Sequence, residues 1–187
     1  MLEAVIADIA ELRRITDRHL RVSINASRTE LLRNDFLDTF LDKTRRGNLK
    51  PDDFIIEITE DVIIGVDDIT LQDKISYLVS SGVEFALDDF GTGYASLIHI
   101  SSFPVKEIKI DKQFIAGIET DQSKQAIIKG ILQIAEAMNL TVIAEGVETA
   151  AQQAVLREIG CRYAQGYLYC FPIPFAQFTA MLENKDQ

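Results

Sequence analysis

The chain reads as an α/β protein, with parallel strands wrapped by helices, on three observations. Short apolar runs alternate with stretches whose apolar residues recur at helical spacing. The alternation is strict, which is the pattern of strand–helix units feeding a parallel sheet. Each apolar run also closes on a polar residue able to do chemistry. An open doubly wound sheet and a closed barrel both satisfy these observations.

Leu2, Val5, Ile6, Ile9 and Leu12 fall at helical spacing, and Arg21 to Asn25 reads as the first strand. Phe36, Leu37, Phe40 and Leu41 mark a second helix. Asp53 to Glu60 is the next apolar run and reads as a strand. Ile69 to Val79 is helical and Gly82 stops it. Val83 to Leu87 leads into Asp88-Asp89 and then Phe90-Gly91-Thr92-Gly93-Tyr94. After a loop and a short helix, Glu107 to Asp111 is a strand. Ile127, Ile128, Ile131, Ala135 and Met138 line a long helix. Thr141 to Glu145 is the fifth strand, Ala151 to Ile159 the helix after it, and Arg162 to Gly166 the sixth strand. A turn flanked by Pro172 and Pro174 leads to a closing helix. No linker or repeat interrupts this order, so residues 1–187 read as one domain.

The 187 residues carry a formal charge of −10. That balance argues against a partner that is a nucleic-acid polymer, because phosphate neutralisation needs clustered Lys and Arg. It leaves room for a small phosphorylated ligand held by a local site or a bound cation. Cys161 and Cys170 form neither a disulfide framework nor a zinc pattern, consistent with reduced thiols in a cytoplasmic protein. No apolar stretch approaches the roughly 20 residues of a membrane span. Glu3, Asp8 and Glu11 interrupt the N-terminus in a way a signal peptide does not tolerate.

The strand ends are Asn25, Glu57, Asp88 with Asp89, Lys109, Glu145 and Gln165. Singly, an Asn is a turn former and a Glu a solvated strand end. Together they converge, because the C-terminal strand ends of parallel α/β folds share one face. Two adjacent aspartates repel by roughly 4 kcal/mol at an effective dielectric near 20, so a cation or a retained proton must offset them. The donors are oxygens, and His19 and His99 sit in no ligand pattern, so Mg²⁺ or Mn²⁺ suits them better than zinc. Paired ions of this kind activate a water and clamp a phosphoryl group in line. Asp88 and Asp89 would face opposite ways in a regular strand. Both serve one site only if the chain turns there, which the following glycines permit. Lys109 is the fixed cation of the set.

Six segments carry a resemblance. They are Val22-Ser23-Ile24-Asn25-Ala26-Ser27, Glu57-Ile58-Thr59-Glu60, Asp88 through Leu97, Lys109-Ile110-Asp111, Ala144 through Thr149, and Gln165-Gly166-Tyr167-Leu168 with Pro172 and Pro174. In this order they resemble the EAL-type cyclic di-GMP phosphodiesterase domain of bacterial second-messenger signalling. The resemblance implies a TIM-like (β/α) barrel that hydrolyses cyclic di-GMP to linear pGpG with two Mg²⁺ or Mn²⁺ ions. It implies metal ligands at Asn25, Glu57 and Asp88, with Asp89 on the second ion. Lys109 would contact the catalytic water or metal-bridging groups, and Glu145 would close the metal–water network as a general base. Glu148, Gln165 and Pro172 fall on the substrate side. Glu60 would pin the glycine loop through its hydroxyls, Thr92 and Ser96. It also implies a homodimer, and a parent protein whose sensory or cyclase domains carry any membrane anchor.

One departure stands out. The Glu-Ala-Leu that names the family is absent, and Glu3-Ala4-Val5 lies on a helical pattern with the wrong neighbours. The expectation is therefore an incomplete barrel lacking its first two strands, closed by another copy or left open, and a weak or inactive catalyst. The alternative in a different class is a non-catalytic cyclic di-GMP receptor or dimerisation module.

Overall fold

The computed structural model describes residues 2–16, 19–64, 69–93 and 97–185. Its first half runs α1 (Leu2–Ile15), β1 (Val22–Asn25), α2 (Arg28–Leu32), α3 (Phe36–Arg46), a 3-10 turn (Pro51–Asp53), β2 (Phe54–Ile58), α4 (Glu60–Ile64), α5 (Ile69–Ser80) and β3 (Glu84–Phe90). It continues with α6 (Leu97–Ser102), β4 (Val105–Ile110), α7 (Lys112–Ile115), α8 (Gln122–Ala137), β5 (Thr141–Ala144), α9 (Ala150–Glu158), β6 (Tyr163–Ala164) and α10 (Phe175–Lys185). The six strands hydrogen-bond in sequence order, β1 to β6. The chain divides into two compact units: Met1–Ile56 with Asp68–Glu84 and Pro172–Gln187, and Glu57–Asp67 with Phe85–Phe171.

In the first unit, α1 buries Ile6, Ile9 and Leu12, the stripe its spacing dictates. Phe40 of α3 meets Phe54 edge to face, ring centroids 5.3 Å apart. Asp53 does not begin a strand. Pro51 opens the 3-10 turn, and the Lys50 N–H donates to Asp53 Oδ2 at 2.6 Å, closing it. His19 does lie among carboxylates, with Asp52 and Asp53, contrary to the sequence expectation; its Nε2 is 3.2 Å from Asp53 Oδ1. The Arg13 guanidinium pairs with that same buried oxygen, so the charge is already met by a side chain. Ser27 and Glu30 form a capping box at the start of α2. Lys74 of α5 closes its other end, Nζ donating to the carbonyls of Leu31, Leu32 and Arg33 at 3.2, 2.7 and 2.7 Å.

In the second unit, β3, β4, β5 and β6 are parallel. Ile110, Ile115, Ile128, Val142, Ala144, Val147 and Leu156 form a shared core beneath them. The β3–β4 register slips twice. Phe85 and Ala86 face Val105 and Glu107, and Leu87 and Phe90 face Ile108 and Ile110. The second slip places one extra residue on β3 at its functional end, a bulge that re-aims the side chains around it.

Candidate active site of the second unit

The bulge settles how two adjacent aspartates serve one place. The chain turns at Asp89 itself, with φ 51°, the point at which the sequence required it to turn. Aspartate is among the few residues with a side chain that tolerate this left-handed conformation. Asp88, Asp89 and Glu145 each offer an oxygen, and these atoms all lie within 4.8 Å of one another.

Lys109 organises the set. It comes from the buried C-terminal half of β4, its side chain 8% exposed. Its Nζ lies 2.6 Å from Glu145 Oε1, 3.0 Å from Glu57 Oε1 and 3.2 Å from Asp88 Oδ1. Burial works to lower the ammonium pKa, but the hydrogen bonds and charges of Glu145 and Glu57 prevail and hold it well above the ordinary lysine value. Burial pushes the Glu145 carboxyl up, against the opposing pull of Lys109. Partial desolvation, then the neighbouring Asp88 and Asp111 carboxylates, push Asp89 up as well. Gln165, just past β6, donates from Nε2 to Glu145 Oε1 at 2.5 Å.

Asn25 ends β1 in the first unit, and Pro172 belongs to that unit as well. Glu148 is exposed, and its backbone N–H donates to the Gln152 side chain that opens α9. Ser96 lies outside the described residues. The Thr92 hydroxyl donates to the Asp89 carbonyl at 2.9 Å, tightening the turn rather than reaching Glu60. Glu60 grips the loop by its backbone. Its Oε1 accepts the Gly91 N–H at 2.7 Å, and its Oε2 stands 2.7 Å from where a Cβ at Gly93 would sit. A residue assigned no role from the sequence also belongs here. Buried Asp111 accepts the Gln113 N–H at 2.8 Å to cap α7 and adds negative charge beside Asp89. An aspartate two residues past Lys109, directly before a helix, is the N-cap signal that marks it.

The EAL domain family profile matches residues 1–172. The chain belongs to that family. MucR of Pseudomonas aeruginosa, a bifunctional diguanylate cyclase/cyclic di-GMP phosphodiesterase, is 35% identical over 159 residues, which are 85% of this chain and 23% of MucR. The EAL domain of Mycobacterium smegmatis DcpA superposes with a TM-score of 0.90 at 30% identity, covering 98% of this chain and 82% of that one. Klebsiella pneumoniae BlrP1 in its manganese/cyclic di-GMP complex gives 0.80 at 30% identity, covering 89% and 43%. The chain spans 20–24% of the length of the curated relatives it matches first. Its fold class is accordingly the incomplete TIM-like (β/α) barrel, parallel strands in sequence order with helices between them.

The residues of this EAL domain fit a divalent cation. The donors are carboxylate oxygens, the ligands hard cations select. Asp88 Oδ1 is buried and makes no hydrogen bond, although the Lys109 ammonium is 3.2 Å away. A buried acceptor left this way carries a desolvation penalty that a bound cation removes. Among the described residues, no helix is long and apolar enough to cross a membrane.

Proposed function

We propose that this EAL domain hydrolyses one phosphodiester of cyclic di-GMP to linear pGpG in bacterial signalling. The observation that carries the reading is the cluster of Asp88, Asp89 and Glu145 oxygens within 4.8 Å of one another, which one lysine braces. The phosphodiesterase named in MucR and the manganese/cyclic di-GMP complex of BlrP1 support it.

Glu57, Asp88 and Asp89 would hold Mg²⁺ or Mn²⁺ in this unit. Bound there, two such ions supply positive charge to the phosphoryl oxygens and acidify a water. The protein's own groups do the rest. Lys109 fixes the Glu57, Asp88 and Glu145 oxygens before substrate arrives, so little reorganisation is needed at the moment of reaction. Glu145 Oε1 is held by Lys109 and Gln165, and the carboxyl accepts the proton of the attacking water at Oε2. Burial makes it a stronger base than an ordinary glutamate. The water oxygen then bonds to phosphorus, one ester P–O bond breaks, and the departing ribose oxygen takes a proton from the protonated Glu145 carboxyl or from solvent to leave as the free hydroxyl of pGpG. The Glu60–Gly91 bond holds the loop that follows the Asp89 turn. Gln165 and Glu148 would face the substrate.

We further propose a cytoplasmic location, a homodimeric state and association with sensory or cyclase domains. The test incubates the chain, and a version extended upstream, with cyclic di-GMP and Mn²⁺ and assays pGpG. Product from either form, lost in Asp88→Asn, supports hydrolysis. Tight binding without product from both assigns a receptor instead.

A further inference from the structure

The segments that follow Glu145 and Gln165 are laced together. The Val147 N–H donates to the Gln165 carbonyl at 3.0 Å, and the Leu168 N–H donates to the Val147 carbonyl at 3.0 Å. The Gln165 N–H donates to the Ala144 carbonyl at 2.8 Å. Gly166 sits between the two bonds to Val147, with φ 151°. A Cβ there would stand 2.3 Å from the Val147 carbonyl oxygen and 2.4 Å from its nitrogen. Both are backbone atoms already hydrogen-bonded, and Val147 is fully buried, so no side-chain movement relieves the overlap.

We infer that Gly166 is a positioning residue for Glu145. It lets residues 165–168 lie directly on Val147, and that approach sets the Gln165 amide on Glu145 Oε1 at 2.5 Å. Through Gln165 it fixes the carboxylate that Lys109 holds at 2.6 Å. The inference rests on the reading of Glu145 and the metal cluster given above. Gly160 is the natural control. It has φ 96°, a conformation as unfavourable to a side chain, but nothing lies within 4 Å of its would-be Cβ.

Gly166→Ala, Gly160→Ala, Gln165→Ala and the Gly166→Ala/Gln165→Ala pair are compared with the parent chain by amide hydrogen exchange and Mn²⁺ titration. Protection at Val147 and Leu168 should fall about tenfold or more in Gly166→Ala and hold in Gly160→Ala. Mn²⁺ affinity should fall about tenfold in Gly166→Ala and equally in Gln165→Ala. The pair should lose no more than either single variant, because both act on one contact. Additive losses, intact protection at Val147 and Leu168, or parental Mn²⁺ affinity in Gly166→Ala overturn the positioning role. Should Gly166→Ala fail to fold, Gln165→Ala decides: parental Mn²⁺ affinity there breaks the link from Gly166 to Glu145. A parent chain that binds no Mn²⁺ overturns the functional reading instead, and the role of Gly166 is then judged by exchange and by the Gln165 side-chain amide resonance.

Discussion

Lys109 is asked to satisfy three carboxylates with one ammonium. Replacing it by methionine leaves those charges partly buried and uncompensated, the situation in which losing one partner is most destabilising. Lys109→Met should therefore lower the stability of the metal-free chain by about 3 kcal/mol. Saturating Mn²⁺ should restore much of it, since a ligand at a hundred times its Kd contributes about 2.7 kcal/mol. Urea titration with and without Mn²⁺ checks both; an undiminished midpoint in the metal-free variant contradicts the ion-pair account. The carboxyls supply a pH prediction. Asp89 and Glu145 titrate above their ordinary values, so the folded chain binds these protons more tightly than the unfolded one. What they contribute to stability is most favourable below about pH 4 and declines as pH rises through their raised values. A metal competes with the same protons, so Mn²⁺ affinity should rise across that window with net proton release. Calorimetry in two buffers of different ionisation enthalpy measures it, and a pH-independent affinity would exclude Asp89 as a ligand.

At the level of elements, α2 and α4 are five residues each, too short to display a period, and the sequence pattern passes over both. Their end signals were nonetheless written in the chain: Ser27 with Glu30 three residues on is a capping box. The strands were legible because apolar runs of four to seven residues repeat between helices. The boundary at Asp53 was not, because a carboxylate that closes a 3-10 turn looks the same in sequence as one that starts a strand. The polar strand ends named Glu57, Asp88, Asp89, Lys109 and Glu145, yet the Asp89 bulge was invisible, since it depends on the register of β3 against β4. Lys74 was likewise unreadable, because its three acceptors lie more than forty residues away. Lys74→Met should cost about 1–3 kcal/mol and fray α2 first. Amide exchange that stays slow throughout α2 in this variant would show the lysine to be dispensable.

Across the whole molecule, β1 and β6 stand at the two ends of the strand order. A closed barrel has no such ends, and unpaired strand edges are templates for another strand. Tyr163 of β6 is exposed, as are Tyr167, Tyr169 and Phe171 after it. The chain should associate as concentration rises, and light scattering across a dilution series should record a mass that grows accordingly; a constant monomer mass would mean that these edges are protected. Lys109 carries a last consequence. Because an ammonium already bridges Glu57, Asp88 and Glu145, the carboxylate cluster should keep its form without ions. Chelation should thus silence the domain without melting it, and restored manganese should revive it at once, with no refolding lag. Trace-metal supply would then act on this domain as a dial rather than as scaffolding.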